Sequence, residues 1–311
     1  MNGMNVKSRG LRGHVAIFVA NLIFGVNVPL AKTVVGEGGI PWQVASLIRI
    51  VVATVLFWGV SLFTRREKVR GRDLGLLFLA SLFAISLNQP PFLMGLSRTT
   101  PFNASMLSNT LPIVTLILST IFLREPLSWK KIMGVVLGIV GAVLLVMRPG
   151  EHLSIGSIGD VLVFSSLVTY SIYITVFKGV VSRYSPVTVM KWFFLFSTFT
   201  TAPFLLPSFE GVDWSAFGES FYLRLAYLSV FATFLAYLLI PIAQKNIRPT
   251  IISMYSYVNP IVAGAITLAA GMDSLTLGKV IAVSLIFVGV YLVSVSRSRE
   301  DMEMRKADGR K

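Results

Sequence analysis

Arg49 is the residue with the strongest claim to chemistry in this chain. It stands in the apolar stretch WQVASLIRIVVATVLFWGVSL, about 10 Å from its start if the stretch is helical. A cation at that depth of a hydrocarbon layer costs on the order of 2.5–3.5 kcal/mol. Three arrangements relieve the cost: the guanidinium holds a carboxylate or phosphate in a watered cavity, snorkels outward, or pairs with Glu37. Three carboxamides, Asn27, Gln89 and Asn109, and three tyrosines, Tyr173, Tyr237 and Tyr257, are also set in apolar sequence. Brought together, they would offer amide donors and acceptors beside aromatic faces with hydroxyl tips, a lining suited to a small amphipathic solute. Packing and interhelical hydrogen bonding use the same residue types. Pro112 and Pro260 each remove a backbone hydrogen bond in mid-run and are the expected kink points.

Other chemistry is excluded by what the chain lacks. There is no cysteine, and the histidines are His14 and His152 alone, so thiolate catalysis and Cys/His metal centres have no ligands. No metal and no cofactor is expected. A phosphate loop G-x-x-x-x-G-K-[ST], an H-E-x-x-H helix and a G-x-S-x-G elbow are all absent, which argues against an ATP-driven pump and against a hydrolase. No Asp or Glu lies well inside an apolar run, so a carboxylate proton relay is not visible either.

The elements that must position these residues are membrane helices. With 54% hydrophobic and 14% charged side chains over 311 residues, the apolar content exceeds what one soluble core can bury. Apolar runs of spanning length fall at about 14–35, 42–63, 74–96, 102–123, 130–148, 160–178, 187–207, 221–243, 250–270 and 276–296. Short connections punctuated by Gly and Pro separate them. The net charge of +14 is explained by topology: with the N-terminus inside, the inner connections carry nearly all Lys and Arg, and the outer ones carry Glu37, Glu151, Glu210, Asp213 and Asp273. Both termini are therefore expected in the cytoplasm of a cell-membrane protein, in contact with lipid and with no nucleic-acid partner. Gly134, Gly138 and Gly141 form a small-residue stripe expected to let the fifth helix approach a neighbour closely.

The chain also repeats itself. A shift of 148 residues superimposes Pro101 on Pro249, Ser108 on Ser256, Pro112 on Pro260, Glu125 on Asp273 and Gly141 on Gly289; a shift of 146 superimposes Gly13 on Gly159 and Lys32 on Lys178. Five runs are matched by five. An odd number per copy turns the second copy upside down in the membrane, and the basic Arg65 to Arg72 connection corresponds to the acidic Glu210 to Asp213 region. The expected fold is an all-α integral membrane protein of ten transmembrane helices in two inverted five-helix repeats, at 1–148 and 149–297, with a cytoplasmic tail at 298–311. The same shifts pair Gln89 with Tyr237 and Asn109 with Tyr257, so a carboxamide of one half answers a tyrosine of the other; Asn27 and Tyr173 pair likewise.

These features together resemble the EamA family of the drug/metabolite transporter superfamily. The segments carrying the likeness run from Pro101 to Val146 and from Arg248 to Ser294, each with a mid-helix proline, an acidic residue at the following connection and a glycine in the last helix; the second copy departs from the usual glutamate with Asp273. The resemblance implies a secondary-active cytoplasmic-membrane transporter exporting amino acids or related small metabolites, with a cavity between the halves. Alternating access would rock the halves about a site lined by the first, third, fourth, sixth, eighth and ninth helices. Asn27, Arg49, Gln89, Asn109, Tyr173, Tyr237 and Tyr257 are the expected substrate contacts, and a homodimer is possible. The rivals are a multidrug exporter, for which an intramembrane carboxylate would be expected, and a non-transporting membrane scaffold.

Overall fold

A computed structural model of the chain describes residues 2–36, 38–146, 157–269 and 277–296. Among these residues the secondary structure is helical throughout, with no strand. Ten long helical units follow one another: α1 (Asn2–Val35), α2 (Trp42–Leu62), α3 (Gly71–Arg98), α4 (Pro101–Ser108 continued by Leu111–Phe122), α5 (Trp129–Val146), α6 (Ile158–Val176), α7 (Pro186–Leu205), α8 (Glu219–Asn246), α9 (Pro249–Met254, Tyr255–Tyr257 and Val258–Ala269) and α10 (Leu277–Ser294), with short helical turns at Lys178–Val181, Leu206–Phe209 and Trp214–Ala216. Among the described residues, eight helices are long and apolar enough to cross a membrane on length and composition alone. Starts are set by local chemistry. Thr100 and Ser185 cap α4 and α7 through their hydroxyls ahead of a first-turn proline, and Ser157 forms a reciprocal capping box with Asp160 at α6. The seam between the proposed halves, at 147–156, lies outside the described residues, as do Glu37, His152, Asp273 and 297–311.

The side-chain contacts show the inversion. The start of α1 and the end of α6 meet at one point: a Cβ on Gly13 would lie 3.0 Å from Ile247, whose carbonyl accepts from Lys178 Nζ at 2.9 Å. The end of α1 and the start of α6 meet at the end of α3. There Lys32 Nζ donates to the carbonyls of Leu96 and Thr99 at 2.8 and 2.9 Å, and a Cβ on Gly159 would lie 2.8 Å from Gly95 O. α1 and α6 therefore run in opposite directions between the same two ends, and Lys32 and Lys178 do the same job in each copy. α1 lies along α8 as α6 lies along α3; α2 pairs with α7 and α5 with α10. The α5–α10 contact depends on glycine: a Cβ at Gly134 would stand 2.7 Å from Gly289 O, and one at Gly289 would stand 2.5 Å from Gly134 O.

One end of the bundle is latched by polar links between the halves. Asp73 of α3 accepts from Arg183 at 2.8 Å and from the Tyr184 hydroxyl at 2.7 Å, and Glu67 accepts from Ser185 N–H at 2.8 Å. Partial burial of Glu67 opposes its ionisation, but the Ser185 N–H, the Thr188 and Ser185 hydroxyls and the charge of Lys245 outweigh that, holding its carboxyl below the usual range. Further along, Lys131 and Glu125 form a buried 2.6 Å ion pair, and Thr250 of the second half donates to the same carboxylate at 3.2 Å.

Candidate functional site

α3 and α8 share a feature that no residue type announced. Leu82–Ser86 and Val230–Leu235 are π-helical, and the shift of 148 places Leu82 on Val230. A π turn inserts one residue into the helix and leaves carbonyls short of their normal donors. In a membrane those carbonyls must be answered internally. Thr169 Oγ1 of α6 donates to Leu87 O at 3.1 Å, and Thr233 Oγ1 donates to Leu228 O at 2.7 Å. Breaks in α4 and α9 complete the arrangement. α4 is interrupted at Asn109 and Thr110, and α9 tightens to a three-residue turn at Tyr255–Tyr257. Pro112 and Pro260 follow these breaks and lack the N–H that an unbroken helix would give to the carbonyls of Ser108 and Ser256.

Between these irregular helices lies a cavity in which the centre of a water molecule can range over about 130 Å³. Much of its wall comes from equivalent positions of the two copies: Phe24 and Tyr170, Asn21 and Leu167, Gln89 and Tyr237, Ser108 and Ser256, Leu111 and Asn259. The cavity thus sits on the axis that relates the halves. α1, α3, α4, α6, α8 and α9 all contribute, and α2 adds Arg49.

Arg49 does not snorkel. It is 3% exposed, and its Nε donates to Thr233 Oγ1 on the π turn of α8 at 2.8 Å. No carboxylate among the described residues lies within ion-pair distance of it, and no acidic residue lines the cavity. Around it are polar atoms that are buried and unpartnered: Asn27 Oδ1, both polar atoms of Gln89, Ser256 Oγ and Asn259 Oδ1. A buried polar group left without a partner costs on the order of 1–3 kcal/mol, so these atoms mark where hydrogen-bonding groups are wanted. Asn88 closes one side, donating to Ser166 O at 2.7 Å and accepting from the Tyr237 hydroxyl at 3.3 Å.

Of the residues expected from sequence, Asn27, Arg49, Gln89 and Tyr237 line the cavity. The other three do not. The Tyr173 hydroxyl donates to Gln244 Oε1 at 2.8 Å within the core; the fully buried Tyr257 ring fills the space left by Gly138, its hydroxyl 3.3 Å from Val135 O; Asn109 is buried at the break in α4 with its Nδ2 unpartnered. The reading from sequence missed Asn21, Phe24, Asn88, Ser166 and Tyr170. The shift of 146 that pairs Asn27 with Tyr173 also pairs Phe24 with Tyr170, one helical turn earlier, and would have found two of them.

A polytopic helical bundle of two inverted copies, with a polar cavity at their seam, defines the class of membrane transporters built from internal repeats. The EamA-like transporter family matches residues 11–147 and again 157–295, and the chain belongs to that family, within the drug/metabolite transporter superfamily. It is 29% identical over 258 residues to an uncharacterized transporter of Archaeoglobus fulgidus, covering 81% of this chain and 88% of the relative. It is 24% identical over 300 residues to the uncharacterized transporter YyaM of Bacillus subtilis, covering 90% and 94%. A solved structure titled only as a crystal structure of a protein has the same fold, with a TM-score of 0.72, 18% identity, and 93% and 98% of the two chains covered.

Proposed function

We propose that this protein is a secondary-active transporter that exports amino acids or related small metabolites across the cell membrane by alternating access. It is a multi-pass membrane protein whose relatives are named transporters. The reading of mechanism rests on one observation: the unpartnered polar atoms of Asn27, Gln89, Ser256 and Asn259 converge on a cavity much of whose wall is drawn from equivalent positions of both inverted copies. A cavity on the symmetry axis is reached from opposite sides by equivalent motions of the two halves, which is the geometric requirement for alternating access. The halves fall at 1–148 and 149–297, and both ends of the chain lie in the cytoplasm in this reading. The protein works on a small solute without a cofactor and catalyses no covalent step.

The chain contains no cysteine, so single-cysteine variants need no background removal. Ser108→Cys and Ser256→Cys are expected to react with a small, water-soluble, membrane-impermeant thiol reagent. Labelling of the same position from either face, in right-side-out and inverted vesicles, is the expected result. If both positions stay unreactive from both faces, the cavity is not a solute pathway and the scaffold reading replaces this one.

A further inference from the structure

The cavity carries one charge, and the charge is positive. Arg49 is presented on α2, and the counterpart helix α7 has no charged residue beyond Lys191. The site is therefore electrostatically one-sided although its shape is nearly symmetric. A guanidinium has five N–H donors. Here Nε is committed to Thr233, which is itself fixed by donation to Leu228 O. The two terminal nitrogens make no hydrogen bond to the protein among the described residues, and their four N–H groups form the planar edge that grips a carboxylate with two parallel bonds. Removing a guanidinium from water without a counter-charge is far more costly than leaving a neutral amide unpaired. The group that complements this guanidinium best is an anion, and no carboxylate among the described residues lies within ion-pair distance of it.

Resting on the transporter reading above, we infer that the solute carried in this cavity is an organic anion whose carboxylate docks on Arg49. The rest of the wall describes the rest of the solute. Asn27 and Gln89 present unpartnered amide atoms for a hydrogen-bonding group next to the carboxylate, and Phe24, Phe92 and Tyr170 offer apolar and aromatic faces for its body. An organic cation finds no carboxylate in the wall and meets Arg49 as a like charge. The same argument sets Arg49 as the specificity-determining residue and Thr233, on the π turn, as the residue that positions it.

The test uses the purified full chain in detergent, with thermal unfolding and intrinsic fluorescence as binding readouts. The probes are acetate, lactate and hippurate, and two isosteres of hippurate: its carboxamide, hippuramide, and its amine, N-(2-aminoethyl)benzamide. Chloride and inorganic phosphate are included because a bare anion could satisfy the guanidinium. At least one carboxylate is expected to bind tenfold or more tightly than its neutral isostere, with the amine weakest. Arg49→Gln should abolish that preference, Arg49→Lys should keep part of it, and Thr233→Val should weaken carboxylate binding while leaving hippuramide unchanged. Should Arg49→Gln fail to fold, the isostere series on the native protein and the Thr233→Val comparison still decide. Equal binding of carboxylate and amide, binding by none of the three carboxylates, or protection by chloride or phosphate equal to that of hippurate overturns the inference. None of these outcomes touches the cysteine-labelling result, so the anion assignment can fail while the transporter reading stands.

Discussion

Asn27 and Gln89 show how function and stability oppose one another at single residues. Each is nine-tenths or more buried; Asn27 Oδ1 has no hydrogen-bond partner among the described residues, and the Gln89 amide lies beside the Tyr237 hydroxyl without a hydrogen bond of good geometry. Replacing such a group by an apolar one of similar size removes a desolvation cost on the order of 1–3 kcal/mol. Asn27→Leu and Gln89→Leu are therefore expected to raise the unfolding temperature of the empty protein in detergent, and at the same time to abolish solute uptake in proteoliposomes. The opposite pattern, lower stability with transport intact, would make these carboxamides structural. Sequence singled out both residues as carboxamides in apolar runs, and both line the cavity. It misplaced Tyr173 and Tyr257 for a physical reason. Sequence position gives height along a helix, whereas the direction a side chain faces depends on every turn before it. The tightened turn at Tyr255–Tyr257 changes that direction for Tyr257, whereas on the unbroken α6 it is Tyr170, one turn before Tyr173, that lines the cavity while the Tyr173 hydroxyl turns to Gln244.

At the scale of the element, the glycine stripe of α5 was legible from spacing, and the structure supplies its partner. Gly134 and Gly289 face one another so closely that each occupies the place of the other's Cβ, and Gly138 leaves room for the Tyr257 ring. An added side chain has to move backbone, which does not yield as a flexible side chain would. Gly134→Leu and Gly289→Leu are each expected to destabilise the protein by roughly 1–3 kcal/mol or more, read as a lower unfolding midpoint in detergent. Gly59, beside which nothing lies within 4 Å, is the matched control, and Gly59→Leu should leave the midpoint nearly unchanged. The π turns were not legible. An inserted residue leaves an apolar helical run looking like an apolar helical run, and only the backbone shows which carbonyls have lost their donors. Thr169 and Thr233, which answer those carbonyls, read in sequence as ordinary membrane threonines.

For the whole molecule, the lone charge of Arg49 bears on how the transport cycle returns. With an organic anion bound, the cavity is neutral, and closing it moves no net charge out of water. Empty, the same closure strips water from an unpaired guanidinium, at a cost on the order of 2.5–3.5 kcal/mol on the most lenient membrane scale. At about tenfold in rate per 1.4 kcal/mol, the empty carrier should reorient a hundredfold or so more slowly than the loaded one. If the solute is the inferred anion, the protein is expected to behave as an exchanger, returning readily only with another anion aboard. Proteoliposomes preloaded with an unlabelled carboxylate from the binding series are expected to take up the labelled compound at least tenfold faster than liposomes containing buffer without transportable anion. In Arg49→Gln, whose empty cavity holds no charge to desolvate, preloading should lose that advantage even where residual uptake is measurable. Equal rates with and without internal anion in the native protein would show that the guanidinium is hydrated or neutralised in the empty closed state, and the exchange argument would fall.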